Sequence, residues 1–296
     1  MKPVVSPDVG VPAAAPRGAA WFPALFVLLW STGFIAAKYG LPYAPPLTLL
    51  ALRFALASAL LLGMALAARA AWPSRVEVGH LAIAGLLVHG AYLAGVYLAI
   101  KDGMEAGTSA MLVGLQPLLT VLLARLWLHE RVNVLQWVGL LLGLVGVYFV
   151  VRHKITVGGA GLLPAMFALV GISVGTLYQK RHGAKVDLRT GSLVQYLVCA
   201  IVFTPLALFL DREPVQWNAA FVFAMAWLVI VLSVGAISLL YWMLRHGAAS
   251  NIARLFYLVP PVTAVMAFVF FGERLDFAAI VGMALIAGGV ALARPR

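Results

Sequence analysis

The sequence predicts an all-α integral membrane protein of ten transmembrane helices, arranged as two inverted five-helix repeats. The first observation is composition: of 296 residues, 64% are hydrophobic and 10% are charged, and the mean hydropathy is +1.01. A soluble domain is about half apolar and about a quarter charged, so this chain has too little polar surface to face water on all sides. The second observation is the length of the apolar spans, and the third is an internal repeat.

The apolar residues cluster in spans of about 20 residues, the length of a helix that crosses a bilayer. We expect helices over 21–39, 45–68, 78–100, 106–127, 134–151, 161–180, 191–210, 219–244, 248–271 and 277–293. Residues 1–20 contain four prolines and no apolar run, which predicts a disordered tail rather than a signal peptide. The remaining roughly 75 loop residues are too few for a soluble catalytic or nucleotide-binding domain.

The positions of lysine and arginine predict the orientation in the membrane. With the N-terminus inside, thirteen of these residues fall in inner segments and six in outer ones. The positive-inside rule therefore predicts that both termini are cytoplasmic. The net charge of +11 comes from scattered short loops, so nucleic acid is not an expected partner.

The two halves of the chain resemble each other. A shift of 143 residues aligns 110–147 with 253–290, with 13 identities in 38 pairs, and places Pro117 on Pro260. Each half has five spans, so the second copy enters the membrane upside down, a pattern typical of transporters with a site near the bilayer midplane. We therefore expect a cytoplasmic tail at 1–20, a first repeat at 21–152 and a second repeat at 161–293.

Several motifs resemble a known family. The first span reads Trp-Ser-Thr-Gly-Phe over 30–34 with Lys38 near its end, the second contains Arg53-Phe54, and the fourth and ninth end in proline, twelve residues and Glu-Arg. Together they resemble the EamA family of the drug/metabolite transporter superfamily over 21–293, and within it the YddG-type exporters of aromatic amino acids. The resemblance implies ten helices around a central cavity, export by alternating access, and a bacterial cytoplasmic (inner) membrane location.

The candidate substrate-binding residues are polar or aromatic side chains near the middle of spans. His89 either lines the cavity or donates to a backbone carbonyl as a neutral ring, and Tyr92 shares its face. Trp30 and Phe34 lie one turn apart, and they either stack on a substrate or pack against neighbours. Gln116 is a mid-membrane amide that needs hydrogen-bond partners.

Two arginines lie inside spans. Arg254, about 9 Å into span nine at helical rise, either holds a substrate carboxylate or extends to the interface, and Tyr257 shares its face one turn further in. For Arg53 we expect a structural role, and for Tyr97 a position in the interfacial aromatic belt. All ten acidic residues fall in the tail, in loops or at span ends, so no carboxylate is expected to carry a proton through the membrane.

Prolines and glycines predict how the helices bend and pack. Pro117 and the pair Pro260 and Pro261 interrupt helical hydrogen bonds at matched depths, as hinges or as static kinks. Glycines are expected to allow close helix packing at positions 139, 143, 282, 288 and 289. We expect spans 1, 3, 4, 6, 8 and 9 to surround the cavity, with spans 5 and 10 to one side.

The leading hypothesis is a secondary transporter or facilitator that exports amino acids, chiefly aromatic ones. The alternatives are an exporter of other small metabolites or cationic drugs, and a sugar-phosphate or nucleotide-sugar transporter, which would need several cavity lysines and arginines. A more remote alternative is a membrane enzyme acting on lipid-linked substrates, which would need paired acids or a metal cluster. Asp211-Arg-Glu213 is the nearest such run, and we expect it to be a solvated turn.

No cofactor or metal is expected, since Cys199 is the single cysteine and lies in an apolar span. The expected partners are a small-molecule substrate and the lipid bilayer, for a monomer or weak homodimer. With no carboxylate at depth and one mid-span histidine, His89, facilitated movement is expected rather than proton antiport. Lys38 aligns with Gln179 in the second half, so its role is not expected to be symmetric.

Overall fold

The computed structural model describes residues 21–128, 133–155, 161–182, 186–246, 255–273 and 276–292, and within these ranges all regular structure is helical. The helices follow the predicted spans. They are α1 (Phe22–Gly40), α2 (Pro46–Ala67), α3 (Arg75–Lys101), α4 (Ala106–Val113 and Gln116–Leu128), α5 (Val134–Ile155), α6 (Leu162–His182), α7 (Leu188–Leu210), α8 (219–246), α9 (Phe256–Leu258 and Val259–Phe271) and α10 (Phe277–Leu292).

Two helices begin three residues before their predicted starts because polar caps extend them. At the start of α3, the Ser74 hydroxyl accepts from the backbone N–H of Glu77, and the Glu77 carboxylate accepts from the backbone N–H of Ser74. At the start of α7, the Asp187 carboxylate accepts from the backbone N–H of Arg189 at 2.9 Å. Such capped turns are polar, so hydropathy alone places the helix start too late.

Four helices depart from regular α geometry. The middle of α3 is a π-helical segment at Leu86–Ala91, and the middle of α8 is another at Trp227–Ala236. A turn at residues 114–115 separates the two parts of α4, and α9 contains the 3₁₀ turn Phe256–Leu258. The irregular helices are therefore the third and fourth of each set of five.

The helices pack in corresponding pairs. The most extensive contacts are α3 with α6, α5 with α10 and α2 with α7, and further pairs are α1 with α8, α1 with α9, α4 with α6, and α4 with α9. Adding or subtracting five from every helix number turns this set of pairs into itself. The contacts define two groups, which we call group A (α1, α8 and α9) and group B (α3, α4 and α6).

The directions of the helices define the two ends of the bundle. Helices α3 and α6 run antiparallel, since Gly95 lies against Pro164 whereas Gly175 lies against Val88. We call one end the Lys38 end, where α1, α3, α7 and α9 finish and α2, α4 and α8 begin. The other is the Ser74 end, where the Thr190 hydroxyl donates to the Ala71 carbonyl at 2.7 Å.

Glycines bring α5 and α10 into backbone contact. A side chain at Gly146 would collide with the backbone of Gly282, and a side chain at Gly289 would collide with the backbone of Gly139 and Gly143. Of these positions, all but Gly146 are among those expected to allow close packing. The exception is Gly288, where a side chain would meet open space.

The outer surface of the bundle is apolar. Seven of the described helices are long and apolar enough to cross a membrane, and three shorter apolar helices accompany them, at Val134–Phe149, Val259–Phe271 and Phe277–Leu292. Large apolar side chains project outward, including Leu163, Phe209 and Phe277, each at least 80% exposed. A soluble protein rarely exposes such continuous apolar surface, whereas lipid tails cover it.

Candidate functional site

A cavity lies between the helices near the middle of the bundle. Its first part spans about 650 Å³ and its second about 460 Å³, volumes that include space open to the outside, and they share Trp30, Phe34, Tyr92 and Ile172 as walls. We call the two parts together the central cavity. Residues from α1, α2, α3, α4, α6, α7, α8 and α9 line it, and none of the described lining residues comes from α5 or α10. All six helices expected around the cavity contribute to its wall, but the prediction omitted α2 and α7, which also line it.

Most of the predicted candidate residues line this cavity. Trp30, Phe34 and Tyr92 lie in both parts, His89 in the first, and Gln116 in the second. Spacing explains the convergence on α3, where the lining positions are 88, 89, 92, 93, 96 and 97. The last five follow the i, i+3, i+4, i+7, i+8 periodicity of one helix face, and Val88 lies at its edge.

The aromatic residues of α1 both line the cavity and pack on their neighbours, so the two readings of Trp30 are compatible. The Trp30 ring lies edge-on to Phe256 of α9, with centroids 5.2 Å apart, and contacts Phe26 at 5.3 Å. Phe34 is buried. The ring positions are thus fixed by packing, which pre-organises an apolar wall.

His89 sits on the π-helical segment of α3 and is held by a side chain, not by a backbone carbonyl. Its Nε2 donates to the Gln195 amide oxygen at 3.1 Å, and its ring lies 4.6 Å from the ring of Tyr196. Both partners come from α7. Because π-helical turns commonly occur at functional sites, this segment marks the part of α3 that is specialised for the cavity.

Gln116 finds the partner that its position requires. Its Nε2 donates to the Thr176 hydroxyl at 2.9 Å, and that hydroxyl in turn donates to the Ile172 carbonyl at 2.6 Å. This chain of hydrogen bonds joins α4 to α6. Gln116 also lines the cavity immediately after the break in α4.

The prolines lie where α4 and α9 are interrupted. Pro117 and Pro260 occupy the first turns that follow the breaks and line the second part of the cavity. A proline costs little in a first helical turn because that turn's N–H groups have no helical acceptor. Pro261 instead lines a separate pocket between α4, α9 and α10.

Two predicted residues cannot be placed in the cavity. Arg254 lies outside the described residues, and for Tyr257 the backbone is described, within the 3₁₀ turn of α9, but the side chain is not.

Arg53, for which we expected a structural role, also lines the cavity. Its side chain is 6% exposed and lines the first part of the cavity. Nη1 donates to the Tyr97 hydroxyl at 2.9 Å, and Nε donates to the Ser233 hydroxyl at 3.3 Å. Arg53 thus links α2 to α3 and to the π-helical segment of α8, and it also presents a charge to the cavity.

The expectation that Tyr97 belongs to an interfacial belt is wrong. Tyr97 is 1% exposed, lines the cavity and accepts from Arg53. The signal was present in the sequence, because Tyr97 is eight residues after His89 and therefore on the same helix face. Its partner lies 44 residues away, a pairing that no local pattern reveals.

At the Lys38 end a partly buried charge pair within group A adjoins the contact that Glu273 makes to group B. Lys38 Nζ lies 2.5 Å from Oε1 of Glu273 and 5.0 Å from the centre of the Phe271 ring. The Glu273 carboxylate also accepts from the backbone N–H groups of Ala106 and Gly107, at 2.9 and 3.2 Å. It therefore caps the N-terminus of α4. We call this set of contacts the Lys38–Glu273 latch.

The run from Asp211 to Glu213 is solvated at Arg212 and Glu213, as expected, but Asp211 has a structural role. The Asp211 carboxylate accepts from the backbone N–H and hydroxyl of Thr48, at 2.6 and 2.8 Å, and so caps α2. Glu213 lies 3.7 Å from Lys101. Nor do three or more histidine, cysteine or acidic side chains cluster as metal ligands in the described part of the chain.

The apolar surface, the spanning helices and the internal cavity define a multi-pass membrane protein of the kind that moves small molecules. A comparison with models of known protein families identifies the family of this chain. The chain belongs to the EamA-like transporter family, whose model matches residues 17–152 and again residues 159–294. It is therefore a membrane transporter, as the motifs of the sequence predicted.

Similar proteins carry transporter names. An uncharacterized transporter of Bacillus subtilis, YvbV, is 27% identical over 282 residues, which cover 91% of this chain and 89% of that protein. A probable amino-acid metabolite efflux pump of Escherichia coli is 25% identical over 278 residues, 90% of this chain and 91% of that protein. A protein of known crystal structure, 22% identical, covers 94% of this chain with a TM-score of 0.64 and shares the fold.

Proposed function

We propose that this transporter exports amino acids, chiefly large aromatic ones, across the bacterial cytoplasmic (inner) membrane. The observation that carries the proposal is the wall of the central cavity, where Trp30, Phe34, Tyr92 and Tyr196 surround a space of molecular size. Aromatic faces favour aromatic ligands through offset or edge-on contacts. The name of the similar E. coli efflux pump supports the class of substrate.

The proposed substrate contacts are the cavity residues predicted from the sequence. The aromatic side chain would lie between Trp30, Phe34 and Tyr92, while His89 and Gln116 offer polar contacts. Arg254 and Tyr257 remain candidates on the basis of sequence.

Alternating access would arise from rocking of group A against group B. The two groups have corresponding members, as the helix pairs require, and the family model matches each half of the chain. We therefore propose two inverted repeats, 21–152 and 161–293. Phe34 and Ala110 line the cavity. The latch joins the two groups one helical turn closer to the Lys38 end. Releasing the latch would therefore open the cavity at this end.

The excess of lysine and arginine at the opposite end supports an orientation with the Lys38 end outside and both termini in the cytoplasm. We propose facilitated movement down the substrate gradient by a monomer or weak homodimer. No carboxylate of the described residues lines the central cavity, so the path lacks the acidic group that commonly carries protons in such transporters.

Uptake into liposomes by the purified protein tests the proposal. Labelled phenylalanine and tryptophan should enter faster than into empty liposomes, and excess alanine should compete less well than tyrosine. Trp30→Ala should slow uptake, whereas Trp127→Ala, which removes an exposed tryptophan of α4, should not. An imposed pH gradient should not drive accumulation above equilibrium. Failure of every amino acid to enter would refute the proposed function, and accumulation that disappears in His89→Gln would refute facilitation.

A further inference from the structure

Arg53 is a buried cation without an anionic partner. Its hydrogen-bond partners, Tyr97 and Ser233, are both neutral hydroxyls. The ion pairs found in the described residues are Lys38 with Glu273 and Lys101 with Glu213, so no described carboxylate neutralises Arg53. Burying a charge costs several kcal/mol unless an opposite charge compensates it. A site of this kind favours an anionic ligand.

The orientation of the guanidinium is fixed, and one edge of it remains available. Tyr97 and Ser233 engage Nη1 and Nε, whereas Nη2 makes no hydrogen bond to the described residues. The Ser233 hydroxyl is itself held, because it donates to the Leu228 carbonyl at 3.0 Å. A carboxylate binds such a planar edge with two parallel hydrogen bonds.

The rest of the wall selects the kind of anion. Arg53 is the one lysine or arginine among the described residues that line the cavity, so a phosphate dianion would be only partly neutralised there. Most other wall residues are aromatic or aliphatic, among them Trp30, Phe34 and Leu232. The cavity therefore suits a single carboxylate attached to an aromatic or apolar group.

The same wall offers little to a substrate ammonium group. An α-ammonium would find aromatic faces, which attract cations weakly at wet sites, and no carboxylate from the described lining residues. We infer that Arg53 binds the carboxylate of the transported molecule, and that the site recognises aromatic monocarboxylates with or without an amino group. This inference rests on the proposed function in taking the central cavity as the substrate site.

Two analogues of phenylalanine, each of which keeps one of its two charged groups, test the inference on the unaltered protein. 3-Phenylpropionate keeps the carboxylate and lacks the ammonium group, whereas 2-phenylethylamine keeps the ammonium group and lacks the carboxylate. Binding of each to the detergent-purified protein is measured by calorimetry. 3-Phenylpropionate should bind at least about tenfold more tightly, since a charge-assisted hydrogen bond contributes about 1.5–3 kcal/mol. Equal or tighter binding of 2-phenylethylamine would overturn the inference without any substitution.

Variants then assign the carboxylate contact to Arg53. Arg53→Gln should weaken 3-phenylpropionate binding about tenfold or more, and Arg53→Lys should weaken it less because the charge remains. Arg125→Gln, which removes an exposed arginine of α4, is the matched control and should bind normally. Gel filtration and circular dichroism show whether each variant is folded. A folded Arg53→Gln protein that binds like the unaltered protein would refute the role of Arg53.

The outcomes separate the inference from the proposed function. If phenylalanine is transported equally by the unaltered protein and by Arg53→Gln, the inference fails and the proposed function stands. If no amino acid is transported but 3-phenylpropionate binds in an Arg53-dependent manner, the proposed function fails and the carboxylate site stands.

Discussion

The contacts α5–α10 and α4–α9 join corresponding helices of the two halves, yet they are built differently. Between α5 and α10 the backbones touch through glycines such as Gly146 and Gly289. Between α4 and α9 there are interrupted helices, prolines beside a cavity, and the latch at Glu273. Backbone contact at van der Waals distance resists separation, whereas a carboxylate that caps a helix end has two available arrangements, paired or solvated. From this comparison we predict one permanent contact and one that opens.

The largest expected effect concerns the permanent contact. Gly289→Leu should destabilise the protein by about 1–3 kcal/mol or more, since its side chain would collide with the backbone of Gly139 and Gly143. Thermal unfolding in detergent measures the change. The adjacent Gly288→Leu is the control and should unfold at the normal temperature, because its side chain would meet open space. Equal melting temperatures for the two variants would show that the α5–α10 contact is not a close one.

The next effect concerns the latch. Glu273→Gln removes the carboxylate charge that caps α4 and so weakens the contact between group A and group B. It should favour the conformation open at the Lys38 end about tenfold, which corresponds to about 1.4 kcal/mol. The readout is labelling of Ala110→Cys, beside the cavity, by a membrane-impermeant maleimide in a Cys199→Ala background. Labelling should become about tenfold faster.

The control for this experiment is Glu213→Gln. It removes the pair with Lys101, in which the Glu213 side chain is 74% exposed, and exposed pairs contribute little. Unchanged labelling in Glu273→Gln, or equal acceleration in both variants, would contradict a gating role for the latch.

The smallest expected effect concerns the break in α4. Pro117→Ala should slow transport about threefold without weakening ligand binding, because a residue at an interruption absorbs backbone change as a helix moves. Pro205→Ala, in the continuous helix α7, should transport normally. Initial rates in liposomes and calorimetric binding constants provide the comparison. A normal transport rate for a folded Pro117→Ala protein would show that the kink at Pro117 is static and does not act as a hinge.

The parts of the molecule that sequence predicts are those encoded by local pattern. The helices follow from hydropathy, and the cavity positions of Trp30, Phe34, His89 and Tyr92 follow from spacing on one helix face. The π-helical segments of α3 and α8 carry no recognisable local signal, since their composition is as apolar as that of their neighbours.

Long-range polar pairs could not be predicted either. Lys38 and Glu273 are 235 residues apart in sequence, and Thr48 and Asp211 are 163 apart. From sequence, an acidic residue at the end of a span is predicted to be solvated. Only the packing shows that a helix N-terminus lies beside it. The expected structural role of Arg53 agrees with its hydrogen bonds to α3 and α8. Its lack of a counter-charge among the described residues becomes visible only when its neighbours are known.

Movement of group A against group B is the central claim, and a disulfide tests it most directly. An ideal Cβ on Gly107 of α4 lies 3.5 Å from the Cβ of Ala264 of α9, and one on Gly40 of α1 lies 3.3 Å from the Cβ of Ala224 of α8. Both separations are close to those that a disulfide bridges. The first pair links group B to group A, and the second links two helices of group A.

The measurement is phenylalanine uptake into liposomes by each double-cysteine variant in a Cys199→Ala background, oxidised and then reduced. Oxidising the Gly107→Cys, Ala264→Cys pair should hold the Lys38 end closed and stop uptake, which dithiothreitol should restore. Oxidising the Gly40→Cys, Ala224→Cys pair should leave the rate unchanged. Full uptake by the oxidised Gly107–Ala264 variant, with its crosslink verified by mass spectrometry, would contradict the account.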